Sequence, residues 1–347
     1  MNKSFKRIIT LLLASIMITG AAGCNSQAVT TTAAATAGAT TAAVDATTAA
    51  AGATTAASGE LIKVAFICAD MANPSQSYSS KEFQKYGKDY GFDVTVLDAK
   101  GDVQNESTLV TNSIAQGMKA IFLNPNDIKA IVPSIMQAKE AGIVVGMFSS
   151  DLAAESQQYR DFFVGVNDTM AGEAAGKAFI DKFPDGAKIV EIGGQAGHDA
   201  QIKRHDGFAK AIAGSKIEVI DFQVPQQWDT AQAMAIMEDM ITKEGDQIQG
   251  VFCHWDNGVT GVIEALKAAN MLEGMFIVGV DGNKNGFAQV KAGEQSVSIA
   301  QNFTTMTKEA LQLARDVIDG KTVEKINFIP LDVVTKDNID TFQTPEW

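Results

Sequence analysis

The sequence predicts an α/β architecture built on parallel sheets, and three observations carry that expectation. From Leu61 onward, short apolar runs alternate with amphipathic stretches. The runs are four to eight residues long and rich in Val and Ile, as strands buried on both faces are. Several runs are followed by a polar or Gly-rich loop, which is where open parallel sheets receive ligands. Regular alternation of strand and helix implies right-handed crossovers. More than eight such units exceed one small sheet. A TIM barrel repeats the same unit, so periodicity alone leaves two sheets or one barrel open.

In chain order, the runs are Leu61–Cys68, Phe92–Leu97, Ala120–Leu123, Ile143–Phe148, Phe162–Val166 and Lys188–Ile192. They continue with Ile217–Phe222, Gly250–Cys253, Phe276–Val280, Val297–Ala300 and Ile329–Val334. Between them, helical periodicity marks Ser79–Tyr90, Val103–Gln116, Thr169–Lys182, Ala200–Ala213, Thr230–Thr242, Gly258–Ala269 and Thr305–Asp319. The loops after the early runs read Ala69-Asp70-Met71-Ala72-Asn73-Pro74, Asn124-Pro125-Asn126-Asp127 and Ser149-Ser150-Asp151. The second half repeats the pattern with Gly193-Gly194-Gln195, His254-Trp255-Asp256-Asn257 and Asp281-Gly282-Asn283.

Ahead of this body, Lys3, Lys6 and Arg7 precede the short apolar run Ile8–Ile18 and the small-residue end Thr19-Gly20-Ala21-Ala22-Gly23-Cys24. Charge, length and ending are those of a signal peptide, too short to stay across a bilayer. The ending resembles a bacterial lipobox with Cys24 as the acylated residue; Ala21 stands where Leu is usual. Ala and Thr then fill 25 of the 31 positions from 28 to 58, a composition unable to bury a core and expected to form a disordered tether.

The 347-residue chain carries 28 Lys and Arg against 41 Asp and Glu, a net charge of −13. Such an acidic surface repels phosphate backbones, so nucleic acid is not an expected partner. Cys68 and Cys253 each end an apolar run and are expected as buried core thiols rather than a disulfide. His198, His205 and His254 show no metal-ligand spacing and are expected as loop or surface groups. No Gly-x-Ser-x-Gly elbow, P-loop or dinucleotide fingerprint is present, and neither an enzyme nor a cofactor is expected.

Ala72-Asn73-Pro74, Asn124-Pro125, Arg204-His205-Asp206-Gly207-Phe208, Val278-Gly279-Val280-Asp281-Gly282 and Val333-Val334-Thr335-Lys336-Asp337-Asn338 stand in fixed order. In these the body, from about Ile62 to Asn338, resembles the type I periplasmic binding proteins, in particular the ribose and galactose binders serving ABC transporters. The resemblance implies two doubly wound parallel-sheet lobes joined by a three-crossing hinge, with crossings near Val166–Asn167, Gln301–Asn302 and Pro330. The implied division is a signal peptide at 1–23 and the lipidated Cys24 with its tether at 24–59. The first lobe then takes 60–166 and 302–330, and the second 167–301 and 331–347.

The resemblance also implies a sugar-like ligand, an ABC transporter permease as partner, a monomer, and an extracytoplasmic place on the cell membrane through the lipid alone. Its pocket positions fall on Asn73, Ser75, Gln76, Ser149, Ser150, Ile202, Trp228, Trp255, Asp281 and Gln301, with no metal and no catalytic residue. Asn73 donates and accepts through its amide, Asp281 accepts hydroxyl protons, and Trp228 offers a stacking face. Departures matter equally. Ser75 and Gln76 replace aromatics that often follow Asn-Pro, with Tyr78 as a candidate substitute. Ser149-Ser150 replaces an Asp-Arg pair, Ile202 replaces a pocket Arg, and Trp255 replaces an Asn. Arg204 fits a bracing position. With four Arg in the chain, a bidentate Arg clamp on the ligand is not expected. A related sugar-responsive repressor would need an N-terminal helix-turn-helix where the signal peptide stands. A sensor presenting a sugar or furanosyl signal to a receptor kinase is the remaining alternative to transport.

Overall fold

The structure is a computed structural model that describes residues 60–347. The signal peptide, Cys24 and the Ala/Thr tether lie outside the described residues.

Two six-stranded sheets organise the body. The first contains β1 (Ile62–Cys68), β2 (Phe92–Asp98), β3 (Ala120–Leu123), β4 (Val144–Phe148), β5 (Phe162–Gly165) and β11 (Ile326–Phe328), in the order β11-β5-β4-β3-β1-β2. The second contains β6 (Ala187–Ile192), β7 (Ile217–Gln223), β8 (Gly250–Cys253), β9 (Phe276–Asp281), β10 (Val297–Ala300) and β12 (Asp332–Thr335), in the order β12-β10-β9-β8-β6-β7. A single barrel is thereby excluded, and the fold is two doubly wound α/β lobes.

The apolar runs are continuous because helices cover both faces of each sheet. Along β1, Val64, Phe66 and Cys68 enter one core cluster while Ala65 and Ile67 enter another. The strand period of two sends alternate residues to opposite faces. On the second sheet, Val251 and Cys253 of β8 face one core and Phe252 the other. Cys68 and Cys253 are buried free thiols in different lobes, and burial pushes the Cys68 thiol up to about 12. Both are core groups, as their position at the ends of apolar runs suggests.

Among the described residues, nine α-helices accompany the sheets. They are α1 (Pro74–Tyr86), α2 (Val103–Ala115), α3 (Val132–Glu140), α4 (Asp168–Lys182), α5 (Asp199–Ile212), α6 (Thr230–Glu244), α7 (Asp256–Ala268), α8 (Lys284–Ala292) and α9 (Phe303–Ile318). The helices α3 and α8, nine residues each, are additional to those the periodicity marks. The chain changes lobes three times. After β5 it enters α4, whose Ala171, Ala175 and Phe179 pack in the second lobe. After β10 it enters α9, whose Phe303, Met306 and Leu311 return to the first lobe's core. Both helices start on an Asn cap: Asn167 accepts from the Met170 amide and Asn302 from the Thr305 amide.

The third change corrects the reading of Ile329–Val334 as one strand. Ile329-Pro330-Leu331 is the connection, flanked by β11 on the first sheet and β12 on the second. Proline lacks the amide a strand interior needs. β12 also pairs antiparallel with β10 rather than parallel. It enters its sheet from the hinge, where the parallel strands end, so it must run the opposite way. Beyond it, the tail turns back until the Trp347 ring lies against Tyr78 and Phe303 of the first lobe, while its carbonyl accepts the Lys284 amide of the second.

Candidate ligand-binding site

Loops after β1, β3 and β4 face those after β6, β8 and β9, as expected of sheets whose strand order reverses beside β1 and β6. Between them lies a small chamber of about 30 Å³. Eight of the ten pocket positions line it: Asn73, Ser75, Gln76 and Ser149 from the first lobe, Trp228, Trp255 and Asp281 from the second, and Gln301 at the crossing.

Each is held by local structure. Asn73 caps α1, its carboxamide oxygen accepting both the amide (3.0 Å) and the hydroxyl (2.9 Å) of Ser75. Turn-building and cavity lining therefore coincide at this residue, whose NH2 group keeps its donors. Asp281 ends β9 with φ of 129°, and Ser149 follows β4 with φ of 63°. Left-handed conformations at non-Gly residues cost energy and concentrate at functional positions. Asn283, not Asp281, caps the following helix.

Asp281 takes a hydrogen bond from Gln301 Nε2 at 2.9 Å. Burial pushes its carboxyl up to about 8, partly offset by the Arg204 guanidinium. Beneath it, the buried carboxylate of Asp256 accepts the Gly282 amide (2.8 Å), Ser298 Oγ (2.6 Å) and Gln295 Nε2 (2.7 Å). That network fixes the backbone turn which aims Asp281.

Trp228 is wedged rather than loosely stacked. Its ring lies edge-on to Trp255 (5.4 Å between centroids) and to His198 (5.3 Å). A methyl at Gly194 would overlap that ring. The Gly194 amide donates to His254 Nδ1 at 3.2 Å, and the other ring nitrogen of His254 contacts Glu191 Oε1 at 2.9 Å. His254 is thus a buried neutral brace beneath the chamber.

Two pocket positions lie elsewhere. Ile202 does not line the chamber and is 39% exposed. On α5 the lining residues are Ala200 and Arg204, one turn apart, and a residue midway between them is rotated about 200° from each onto the opposite face. Ser150 is fully buried, does not line the chamber, and leaves its hydroxyl without a partner. Nor does Tyr78 supply the missing aromatic: its hydroxyl pairs with Thr304 Oγ1 at 2.8 Å, outside the chamber. Phe303 at the start of α9 lines it instead.

Asn124, His198 and Arg204 also line the chamber. His198 corrects the expectation of a loop or surface histidine. It is buried, and burial followed by the nearby Arg204 and Lys203 charges lowers it to about 3. Its Nδ1 accepts the Ala200 amide, so Nε2 carries the proton and donates to Asn124 Oδ1 of the other lobe at 3.3 Å. Asp199 adds a second link across the cleft by accepting the Asp151 amide at 3.2 Å. Arg204 is bound to Asp168 (2.8 Å) and to the His254 carbonyl, the bracing role its position suggested, with its guanidinium 5.7 Å from the Trp228 ring centre.

Three buried polar atoms of lining residues have no hydrogen-bond partner among the described residues: Gln76 Oε1, Trp255 Nε1 and Gln301 Oε1. An unpaired buried polar atom costs about 1–3 kcal/mol. Two acceptors and a donor on residues that line one chamber match a ligand carrying several hydroxyls. Among the described residues, no group of three or more His, Cys, Asp or Glu side chains is placed to hold a metal.

Known proteins share this fold. The periplasmic binding protein domain matches residues 64–322. The ribose import binding protein of Bacillus subtilis (strain 168) is 31% identical over 264 residues, 76% of this chain and 84% of its own. An ABC transporter solute binding protein from Agrobacterium vitis, solved with bound D-fucose, superposes with a TM-score of 0.75 at 26% identity, over 80% of this chain and 97% of that one. A galactofuranose binding protein shares the fold at a TM-score of 0.77 and 22% identity, over 81% and 96%. These are solute binders rather than enzymes, and they work outside the cytoplasm. With two lobes, a three-crossing hinge and a polar cleft to match, this chain belongs to the periplasmic binding protein family.

Proposed function

We propose that the protein captures a sugar or sugar-like polyol between its lobes and delivers it to the permease of an ABC importer. The observation that carries this reading is the trio of unpartnered polar atoms, Gln76 Oε1, Trp255 Nε1 and Gln301 Oε1, around one chamber. Ligand hydroxyls satisfy all three, while Asp281 accepts hydroxyl protons as a carboxylate and Trp228 meets the C–H face of a ring. Asn73, Ser75 and Ser149 supply the remaining polar wall. Relatives with 31% and 26% identity, a ribose import binding protein and a D-fucose-bound solute binder, support the class of ligand.

The lobes, 60–166 with 302–330 and 167–301 with 331–347, close as rigid bodies about the three crossings. The pairs His198–Asn124 and Asp199–Asp151 hold the closed form. Cys24 is the acylated N-terminal residue, and the tether from 24 to 59 keeps the body near the membrane that houses the permease. This part of the reading rests on the sequence of residues 3–24.

A thermal-shift screen against monosaccharides and polyols tests the proposal. Ligand at 100 times Kd adds about 2.7 kcal/mol of stability, and small-angle scattering of the hit should show a smaller radius of gyration. No stabilisation by any neutral polyol or sugar, alongside stabilisation by amino acids or anions, would overturn it.

A further inference from the structure

Part of the chamber wall has a second side. Gln301 and Phe303 line the chamber, and the same two residues line the groove in which the end of the tail lies. That tail is anchored in both lobes. Phe342 packs with Phe287, Val334 and Ile339 of the second lobe, whereas the Trp347 ring packs on the core of the first.

Trp347 meets Phe303 edge-on, with 4.9 Å between ring centres, and stacks on Tyr78 at 5.9 Å. Tyr78 is itself fixed. Its hydroxyl pairs with Thr304 Oγ1 at 2.8 Å, and Thr304 Oγ1 donates to the buried Glu82 carboxylate at 2.6 Å, which joins α1 to α9. The Trp347 carbonyl accepts the Lys284 amide at the start of α8, three residues past Asp281. One residue therefore touches three pieces of chain that carry chamber residues. They are α1 with its cap (Asn73, Ser75 and Gln76), the start of α9 (Phe303) and the loop after β9 (Asp281).

Resting on the reading of the chamber as the ligand site, we propose that Trp347 is a positioning residue for ligand capture. It backs Phe303 from the side away from the chamber and ties the two lobes together behind the site. A wall residue contributes to binding only as far as its supporting contacts hold it in place. A Trp ring suits that task, being large, rigid and content at a half-buried position. Trp347 is half-buried, so its loss opens no interior cavity and is felt at the chamber wall rather than in the stability of either lobe.

Calorimetry on the full chain, with the tightest binder among D-ribose, D-fucose, D-galactose, L-arabinose and myo-inositol, tests this beside circular dichroism for folding. Trp347→Ala should weaken binding about two- to tenfold, the range of one aromatic pair. Trp347→Phe, which keeps a ring in place, should restore it. Because Trp347 acts through Phe303, its loss should cost nothing further in a Phe303→Leu background. Hydrogen exchange of the ligand-free chain is an arm independent of any sugar. Trp347→Ala should speed exchange about tenfold in residues 282–286 and 301–305 and leave the strands of both sheets unchanged. Wild-type affinity in folded Trp347→Ala overturns the proposal, as does unchanged exchange in those two segments or a loss that adds fully to that of Phe303→Leu. No binding by any of the five overturns the sugar reading instead, and the exchange arm then decides the role of Trp347 alone.

Discussion

Replacing Asp281 by Asn is the sharpest probe of the chamber, because the structure assigns its cost to binding rather than folding. The carboxylate is buried and accepts one protein hydrogen bond, from Gln301 Nε2 at 2.9 Å. In Asp281→Asn the new amide nitrogen can be met by rotating the Gln301 carboxamide, whose Oε1 has no partner. The fold therefore loses little. At pH 9, where the carboxyl is ionised, ligand contact loses a charge-assisted hydrogen bond, worth about 1.5–3 kcal/mol, or about 10- to 150-fold in affinity.

Acidity gives a second signature. With the carboxyl raised by burial to about 8, about one-tenth is ionised at pH 7. Hydroxyl capture needs the ionised form, so affinity should strengthen about tenfold between pH 7 and pH 9 and then level off. The variant should be flat across that range. Stability moves in the opposite sense: the native carboxyl holds its proton more tightly than the unfolded one, so its contribution falls as pH rises from about 4 to about 8. Calorimetry at pH 6, 7, 8 and 9, with melting curves beside it, reads both effects. Unchanged affinity in a folded variant would remove Asp281 from the contact. Affinity that weakens with rising pH would mean that the carboxyl donates instead.

Arg160, paired in the interior with Asp151 at 2.5 and 2.7 Å, also donates to the Lys325 carbonyl just before β11, tying the returning segment into the first lobe. Arg160→Met strands a buried carboxylate and should cost about 3–5 kcal/mol by urea denaturation; a loss under about 1 kcal/mol would show the pair to be replaceable. Mass spectrometry of the membrane fraction should find diacylglyceryl-modified Cys24 as the first residue. A mature chain starting elsewhere and free in the medium would refute the anchor.

How far the sequence foretold the site depends on which element carried each residue. Strand ends were legible, because a buried apolar run followed by Asn-Pro, Ser-Ser or Asp-Gly leaves little freedom in where the loop falls. Asn73, Ser149 and Asp281 all line the chamber for that reason. Helix faces were not: Ile202 stands two positions before Arg204, and that is enough to carry a side chain from the cleft wall to solvent. The rule that residues four apart share a face would have favoured Ala200 and Arg204 once the cap at His198 was recognised. Phe303 was hidden differently. It follows the second crossing, so its place in the chamber depends on which lobe α9 joins. His198 passed for a loop residue because its burial comes from the opposite lobe, a contact with no local trace in the sequence.

The helices α4 and α5 meet without a side-chain layer between them. A methyl at Gly172 would overlap the Arg204 carbonyl, and one at Gly207 would overlap that of Thr169. Core side chains can slip between rotamers and absorb small displacements, but main chain pressed on main chain has no such slack. α4 begins one residue past the Val166–Asn167 crossing, and α5 carries Ala200, Arg204 and the His198 link. The pair therefore works as a gear without backlash, fixing the chamber wall on α5 to the hinge end of α4. A mutation that thickens this contact would displace that wall without altering any residue that lines the chamber.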